Sequence, residues 1–533
     1  MRLALVFCVC LLAGGALIAA DGKRAPKPTK TKASDLSEMS SDVHAPLLRK
    51  ADPAQPGRLT ERLTAGVPAA SAQGVAARRN FIDNYIFGRM DRDGVPHAPL
   101  ASDQEFLRRV RLDVTGRIPS PEETREFLAD NSPDKRARLI DRLVGSPEFV
   151  DKWAYFFMDI LRANGKMGRG HFLFHYTLKQ SLAADRPYND WAASLIAASA
   201  KSNYVVAAAN PIVREHVEGK PGEEENGDSL KKIHQADTHD ELTILFGKIF
   251  LGINLSCISC HDGQGHLEKV NVYLSTRKRS DFAQQAAFFG NVRYIAHVEG
   301  ANNDEKPSAT MGHFIVDDLA AGYNSEAESM LRPKRFGGPA TPKFILTNKT
   351  PEPGEEPRAQ LARMLTSHPQ FARAAVNMFW AKLMGVGIVH PYDDFDLARQ
   401  DPNNLPEGWN LQPSHPELLD ELANYFRGNN YSIQKLFKLI CNSSAYQLSA
   451  RFPGEWRDNY APYYARKFAR MLSAEELHDA IASATERPGR FETRAPREDG
   501  SGSGAGTVGM AMQVSVPNPK GDLKSFMQAF GES

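Results

Sequence analysis

Cys257-Ile258-Ser259-Cys260-His261 places two thiols one helical turn apart, with an imidazole directly after the second. Thiols at that spacing can add across the two vinyl groups of one porphyrin, and the next residue then carries its ring beneath the iron. The pattern therefore reads as covalent haem of the c type, held by Cys257, Cys260 and His261, with His261 as the proximal iron ligand. Chance produces it in only about 0.002 of chains this long, so accident explains it poorly. Two chemical alternatives stay open. A redox dithiol or a local disulfide uses the same C-x-x-C, although the strand–helix–strand context expected around it is missing. A zinc site needs a fourth ligand, and the adjacent Cys260 and His261 are poorly placed to share one ion.

Haem iron of this kind takes a second axial ligand from His or Met. His239, His297, Met311 and His313 are candidates, although each alone reads better as a surface or supporting residue. His266 lies too close to His261 in sequence to reach the opposite haem face, and a packing role suits it better. Asp393, Asp394, Asp396 and Asp401 could together hold a hard cation such as calcium. They lack the EF-hand spacing and its glycine, so turn and helix-cap chemistry is the preferred reading. Arg277-Lys278-Arg279 reads as a solvated basic face. There is no nucleophile elbow, H-E-x-x-H, phosphate loop or dinucleotide fingerprint. No catalytic residue can be assigned, because the spatial separation of a carboxylate pair leaves no mark in sequence.

The bulk properties narrow the setting of this motif. The chain has 533 residues, 65 Lys+Arg against 64 Asp+Glu, 42% hydrophobic and 24% charged residues. That balance suits a globular protein of several domains. A mean hydropathy of −0.42 excludes a polytopic membrane protein. Near-neutral charge argues against a nucleic-acid partner held by bulk electrostatics. Residues 3–20 are unbroken apolar or small, behind Arg2. This pattern predicts a signal peptide over 1–20, with the mature chain starting near Leu17 or Asp21. The alternative is an uncleaved anchor, the one case in which a membrane would be a partner. Cleavage removes Cys8 and Cys10 and leaves Cys257, Cys260 and Cys441. A close pair and a distant singleton are a site and a leftover, not a disulfide framework.

The elements that must position the motif are helical. Residues 21–75 are rich in Lys, Pro, Ala and Ser and predict a disordered linker. A helical domain carrying C-x-x-C-H is expected over 76–297. Ser120-Pro121-Glu122-Glu123 and Ser146-Pro147-Glu148 give helix starts. Phe149, Trp153, Phe156, Phe157, Ile160 and Leu161 then fall on one helical stripe that reads as core. Leu242–Leu251 predicts a short buried helix, with Gly247 and Gly252 permitting close approach. An irregular connecting region spans 298–358, and a second helical domain follows over 359–485. Its capping boxes are Ser414-His415-Pro416-Glu417 and Ser473-Ala474-Glu475-Glu476. Residues 486–533 read as a flexible tail. With no sustained strand alternation and no internal repeat, the fold class is mainly α with long irregular loops.

Several long blocks resemble a known family. Arg108-Arg109-Val110-Arg111-Leu112-Asp113-Val114-Thr115-Gly116-Arg117-Ile118-Pro119, LIDRLVGSPEFVDKWAYFFMDILRANG and FLGINLSCISCHDGQGHLEKVNVYL resemble the cytochrome-c-like family called domain of unknown function 1549. AAVNMFWAKLMGVGIVHPYDDFD, PSHPELLDELANYF and SIQKLFKLICNSSAYQLSA are similar to its usual C-terminal partner, domain of unknown function 1553. The resemblance covers most of 80–485 and is to secreted proteins of environmental bacteria. It implies export and a c-type haem on Cys257, Cys260 and His261, but no assigned reaction. Such C-terminal domains run beyond the segment similar to SFMQAFG, so truncation at Ser533 is an expectation of the resemblance. The expected function is electron transfer or redox support by an exported haem protein, in the periplasm, cell envelope or outside the cell, with an unidentified redox partner. A polysaccharide-associated secreted enzyme and a non-catalytic envelope scaffold, binding polysaccharide or other envelope components, are the alternatives.

Overall fold

Several helix starts follow from the residue that precedes them. Asn80, Ser102, Ser120 and Ser146 each accept a hydrogen bond from a first-turn N–H. They open α2 (Phe81–Asp93), α3 (Asp103–Thr115), α4 (Pro121–Ala129) and α6 (Pro147–Ile160). Each such cap is worth about 1 kcal/mol. Between them lies α5 (Lys135–Leu143), and before them α1 (Gln55–Thr64). The structure, a computed structural model, describes residues 52–66, 76–217, 228–297, 313–319, 322–324, 340–496, 503–516 and 522–530. The leader expected at 1–20 and most of the segment 21–75 lie outside these residues.

Helices α7 (Gly170–Ala183), α8 (Tyr188–Ile196), α9 (Asn210–Arg214) and α10 (Asp228–Leu251) follow, then α11 (Ser256–Cys260), α12 (Val272–Ser275) and α13 (Arg279–Ala286). A hairpin of β1 (Val292–His297) and β2 (His313–Asp318) pairs antiparallel, Val292 opposite Asp318 and His297 opposite His313. The remaining elements are α14 (Pro357–Ser367), α15 (Pro369–Met384), α16 (Pro416–Gly428), α17 (Ile433–Asn442) and α18 (Ala474–Thr485). The second hairpin, β3 (Phe491–Pro496) with β4 (Ser503–Val508), precedes α19 (Asp522–Phe530). The protein is mainly α, as its sequence predicts.

The stripe on α6 is core. Phe149, Trp153 and Phe157 are buried, and Trp153 meets Phe437 of α17 edge-on at 4.6 Å between ring centroids. Phe149 meets the same ring at 5.4 Å, Phe157 meets Trp191 at 4.7 Å, and Trp153 lies 5.9 Å from Phe379 of α15. Full burial of each such ring stabilises by roughly 1.5–3 kcal/mol, and tilted aromatic pairs add somewhat to that. One core cluster thus runs through both helical segments, and Ala51–Ser533 form one compact unit. The division at 298–358 is a boundary in sequence but not in packing.

Three segments depart from the sequence reading. Within 21–75, α1 docks: Gly57 lies against Trp456, the Thr60 hydroxyl accepts the Ala469 N–H at 2.9 Å, and Glu61 pairs with buried Arg466 at 2.5 Å. The short helix expected at Leu242 begins at Asp228. Within 486–533, β3, β4 and the segment around Ala511 are built into the fold. Asp479 accepts the Ala511 N–H at 2.6 Å, and Phe491, Ala511, Val514 and Met527 form a small apolar cluster with Ala474. Glycine-rich β4 has no apolar alternation, which is why its sequence reads as tail.

Buried imidazoles give the fold an acid limit. Burial pushes His175 and His415 down to about 3 and His171 to about 4. Lys179 adds to the effect at His175, and Arg89 and Arg92 at His415. The unfolded chain protonates these rings near pH 6.5 and the native chain does not, so stability falls as pH drops from about 6.5 toward 3. Each ring contributes on the order of 1 kcal/mol per pH unit in that window. Urea midpoints measured from pH 7 to 4 should decline, and His415→Gln should flatten the decline.

Candidate functional site

Helix α10 ends at Leu251, and the chain reverses at Gly252, whose φ of +65° suits glycine. A Cβ there would come within 2.7 Å of Phe395. Leu255 tucks toward Gly247 and leads into α11. On this five-residue helix Ile258 and Ser259 point into the protein, while Cys257 and Cys260 are half-buried one turn apart. Both thiols are free, and Cys260 Sγ lies 3.6 Å from the Ser259 hydroxyl. At His261 the backbone leaves the helix in an extended conformation, φ −150° and ψ 168°. Its Nδ1 lies 2.7 Å from the Asp262 carbonyl oxygen, and its ring centroid is 4.3 Å from that of His266.

Neighbouring elements hold this turn in place. Arg279 at the start of α13 donates its backbone N–H to Asp262 at 2.7 Å and its Nε to the Ser259 carbonyl at 3.3 Å. Gly263 N–H reaches the Arg277 carbonyl at 2.8 Å. The carboxylate-rich loop after α15 closes the other side. Asp396 accepts the Val272 and Tyr273 N–H groups at 2.8 and 2.9 Å, capping α12. Asn271 donates to the Phe395 carbonyl at 3.2 Å, Asp393 pairs with Lys248 at 3.0 Å, and Asp401 accepts the Asn403 N–H. The aspartates are thus divided among a cap, an ion pair and a turn. Among the described residues no three His, Cys, Asp or Glu side chains are gathered to hold a metal ion.

The electrostatics separate the chemical alternatives. Burial, reinforced by Asp394, pushes the Cys257 thiol up. Burial and the neighbouring Asp393 likewise raise the Asp394 carboxyl. Burial and the Asp394 charge both disfavour the Cys257 thiolate that a reactive dithiol needs, while the raised Asp394 carboxyl weakens the second of these effects. Addition to a vinyl group asks only for two thiols on one turn and an imidazole beside them. The donor set therefore fits a covalently bound porphyrin.

Of the histidines considered for the second axial position, His239 turns its Nε2 to the Val292 carbonyl at 3.1 Å, and His313 lies 6.2 Å from the Tyr204 ring. Met311 and the His297 side chain lie outside the described residues. His266 is the histidine packed on His261, a neighbour and not an opposing ligand. Cys441 is fully buried on α17, where burial drives its thiol far up.

A second assembly of ionisable groups escaped the sequence reading. Buried Asp113 of α3 meets Lys467 at 3.1 Å, Arg470 at 3.2 Å and the Tyr446 hydroxyl at 2.9 Å. Arg470 and Lys152 both pair with Glu476, at 2.5 and 3.0 Å. These cations hold Asp113 far below the carboxylate range and Glu476 down to about 2, against the opposing effect of burial. The available signal was Asp113 itself, a carboxylate set among the buried positions Val110 and Val114.

Fold and site together define a mainly helical protein with a C-x-x-C-H turn braced by a second helical segment. Residues 81–294 match PSCyt2, a protein of unknown function (DUF1549), and residues 357–500 match PSD1, a protein of unknown function (DUF1553). The chain carries a PSCyt2 domain followed by a PSD1 domain, and its Cys257–His261 turn lies within the first. No curated protein and no solved structure matches it.

Proposed function

We propose that the protein is an exported c-type haem protein that transfers electrons or supports redox chemistry in the cell envelope. One observation carries this reading: Cys257 and Cys260 stand half-buried one turn apart on α11, and His261 follows at once. Each S–H would add across one vinyl C=C, forming a thioether without any oxidant. With Nδ1 of His261 donating to the Asp262 carbonyl, Nε2 would be the nitrogen to ligate iron. The haem would supply a one-electron couple. Export is supported by Arg2 and the apolar run 3–20. Among the described residues no helix is long and apolar enough to cross a membrane.

The test is the absorption spectrum of the full chain made in a host that attaches haem c. Soret and α bands should be present, and the colour should stay with the protein after acid–acetone extraction. A colourless product from that host, or haem that leaves with the solvent, would overturn the proposal.

A further inference from the structure

We propose that the groove between α2, α5, α16 and α17 binds a phosphate or sulfate ester. This groove, open to solvent, offers about 490 Å³ and shares no residue with the Cys257–His261 turn. Three cations line it, Arg79, Lys435 and Lys438, and no carboxylate does. The chain as a whole is charge-balanced, so a concavity lined by one sign of charge is a local feature. Concave walls of one sign focus the field and raise the local concentration of counter-charged ligand.

The cations differ in how far they are already engaged. Arg79 gives one guanidinium N–H to the Gln447 side chain at 3.1 Å, which fixes the group and leaves its other donors for a ligand. Lys438 pairs at 2.9 Å with Asp141, a solvent-exposed carboxylate, and exposed pairs of that kind are weak. Lys435 is exposed, with no carboxylate partner among the described residues. A tetrahedral oxyanion offers several acceptor oxygens to such a set, and charge-assisted hydrogen bonds to it are the strong kind.

The remaining wall says what the anion is attached to. Tyr425 lines the groove half-buried, its ring 5.9 Å from Phe81, and Asn80 and Asn442 complete the lining. Asn80 is committed, capping α2 and donating to the Leu439 carbonyl at 2.9 Å. A fixed aromatic face beside an anion-holding corner suits a ring-bearing ester, such as a sugar phosphate or sugar sulfate, better than a free inorganic ion. The groove joins both matched regions, since Ala137 lies in the first and Tyr425 to Asn442 in the second, with Arg79 and Asn80 just ahead of the first.

The full chain can be titrated calorimetrically with inorganic phosphate, inorganic sulfate, glucose 6-phosphate and glucose 6-sulfate, with ionic strength held constant by sodium chloride. Saturable one-to-one binding is expected for at least one ester, tighter than for its inorganic ion, and the tighter ester identifies the class. Lys435→Gln with Lys438→Gln should weaken it at least about tenfold. Tyr425→Ala should erase the preference of ester over inorganic ion. The lysines are surface groups, so circular dichroism should show an unchanged fold. Absence of saturable binding to all four probes, or equal binding to wild type and the double lysine variant, would refute the site.

Discussion

Asp113→Ala should destabilise the native protein by about 3–5 kcal/mol. The carboxylate is buried, and its oxygens are divided among Lys467, Arg470 and Tyr446. Deleting it strands the Lys467 ammonium, itself buried and pushed down to about 8, without its counter-charge. Replacing Asp113 and Lys467 together by Leu and Met should cost less than the sum of the two single changes, because neither member of that pair is then left buried without the other. Urea denaturation at pH 7 measures both terms. Because Asp113 and Glu476 are held below their ordinary range, their contribution is present above about pH 4.5 and is lost as pH falls through that range. A loss below 1 kcal/mol for Asp113→Ala would mean that the cluster is far better hydrated than its burial implies.

Cys257→Ser and Cys260→Ser should each remove one thioether, and the double variant should carry no covalent haem after denaturation and acid extraction. His261→Ala should act differently, leaving the attachment largely intact and shifting the Soret band, since on the proposed reading the thiols would make the covalent bonds and the imidazole the axial one. Cys441→Ser is the control. That thiol is buried in the core on α17, so the spectrum should not change, although some stability should be lost. Full covalent loading of the double variant would sink the assignment of the site.

How much of this was legible in sequence depends on the range of the interactions involved. Ser120, Ser146 and Ser473 mark helix starts that the structure keeps, because a cap is settled within four residues; Ser473 and Glu476 bond reciprocally at 3.2 Å each. The α6 stripe was legible for the same reason. At Ser414-His415-Pro416 the start is displaced by one residue, and His415 takes the cap position without a side-chain bond. The second helical segment opens with two helices, parted where His368 precedes Pro369.

The candidate site divides in the same way. The Cys257, Cys260 and His261 spacing is local and plain. The bracing of α12 by Asp396 links positions more than a hundred residues apart and leaves no periodic trace. The union of Asp113 with Lys467 is longer still, and α1 docks through Gly57 and Thr60, residues that no hydrophobic pattern singles out.

The aromatic face of α6 also bears on how the protein is made. Phe437 leaves the ribosome about 280 residues after Trp153, and at roughly 5–20 residues per second that interval is on the order of 15–60 s. Throughout it Phe149 and Trp153 lack the ring that later covers them. The nascent chain thus carries an adhesive apolar surface far longer than an autonomous N-terminal domain would. A chain that cannot finish its core until its last third is synthesised must be shielded from aggregation in the meantime, and the same delay would keep it threadable on the proposed export route.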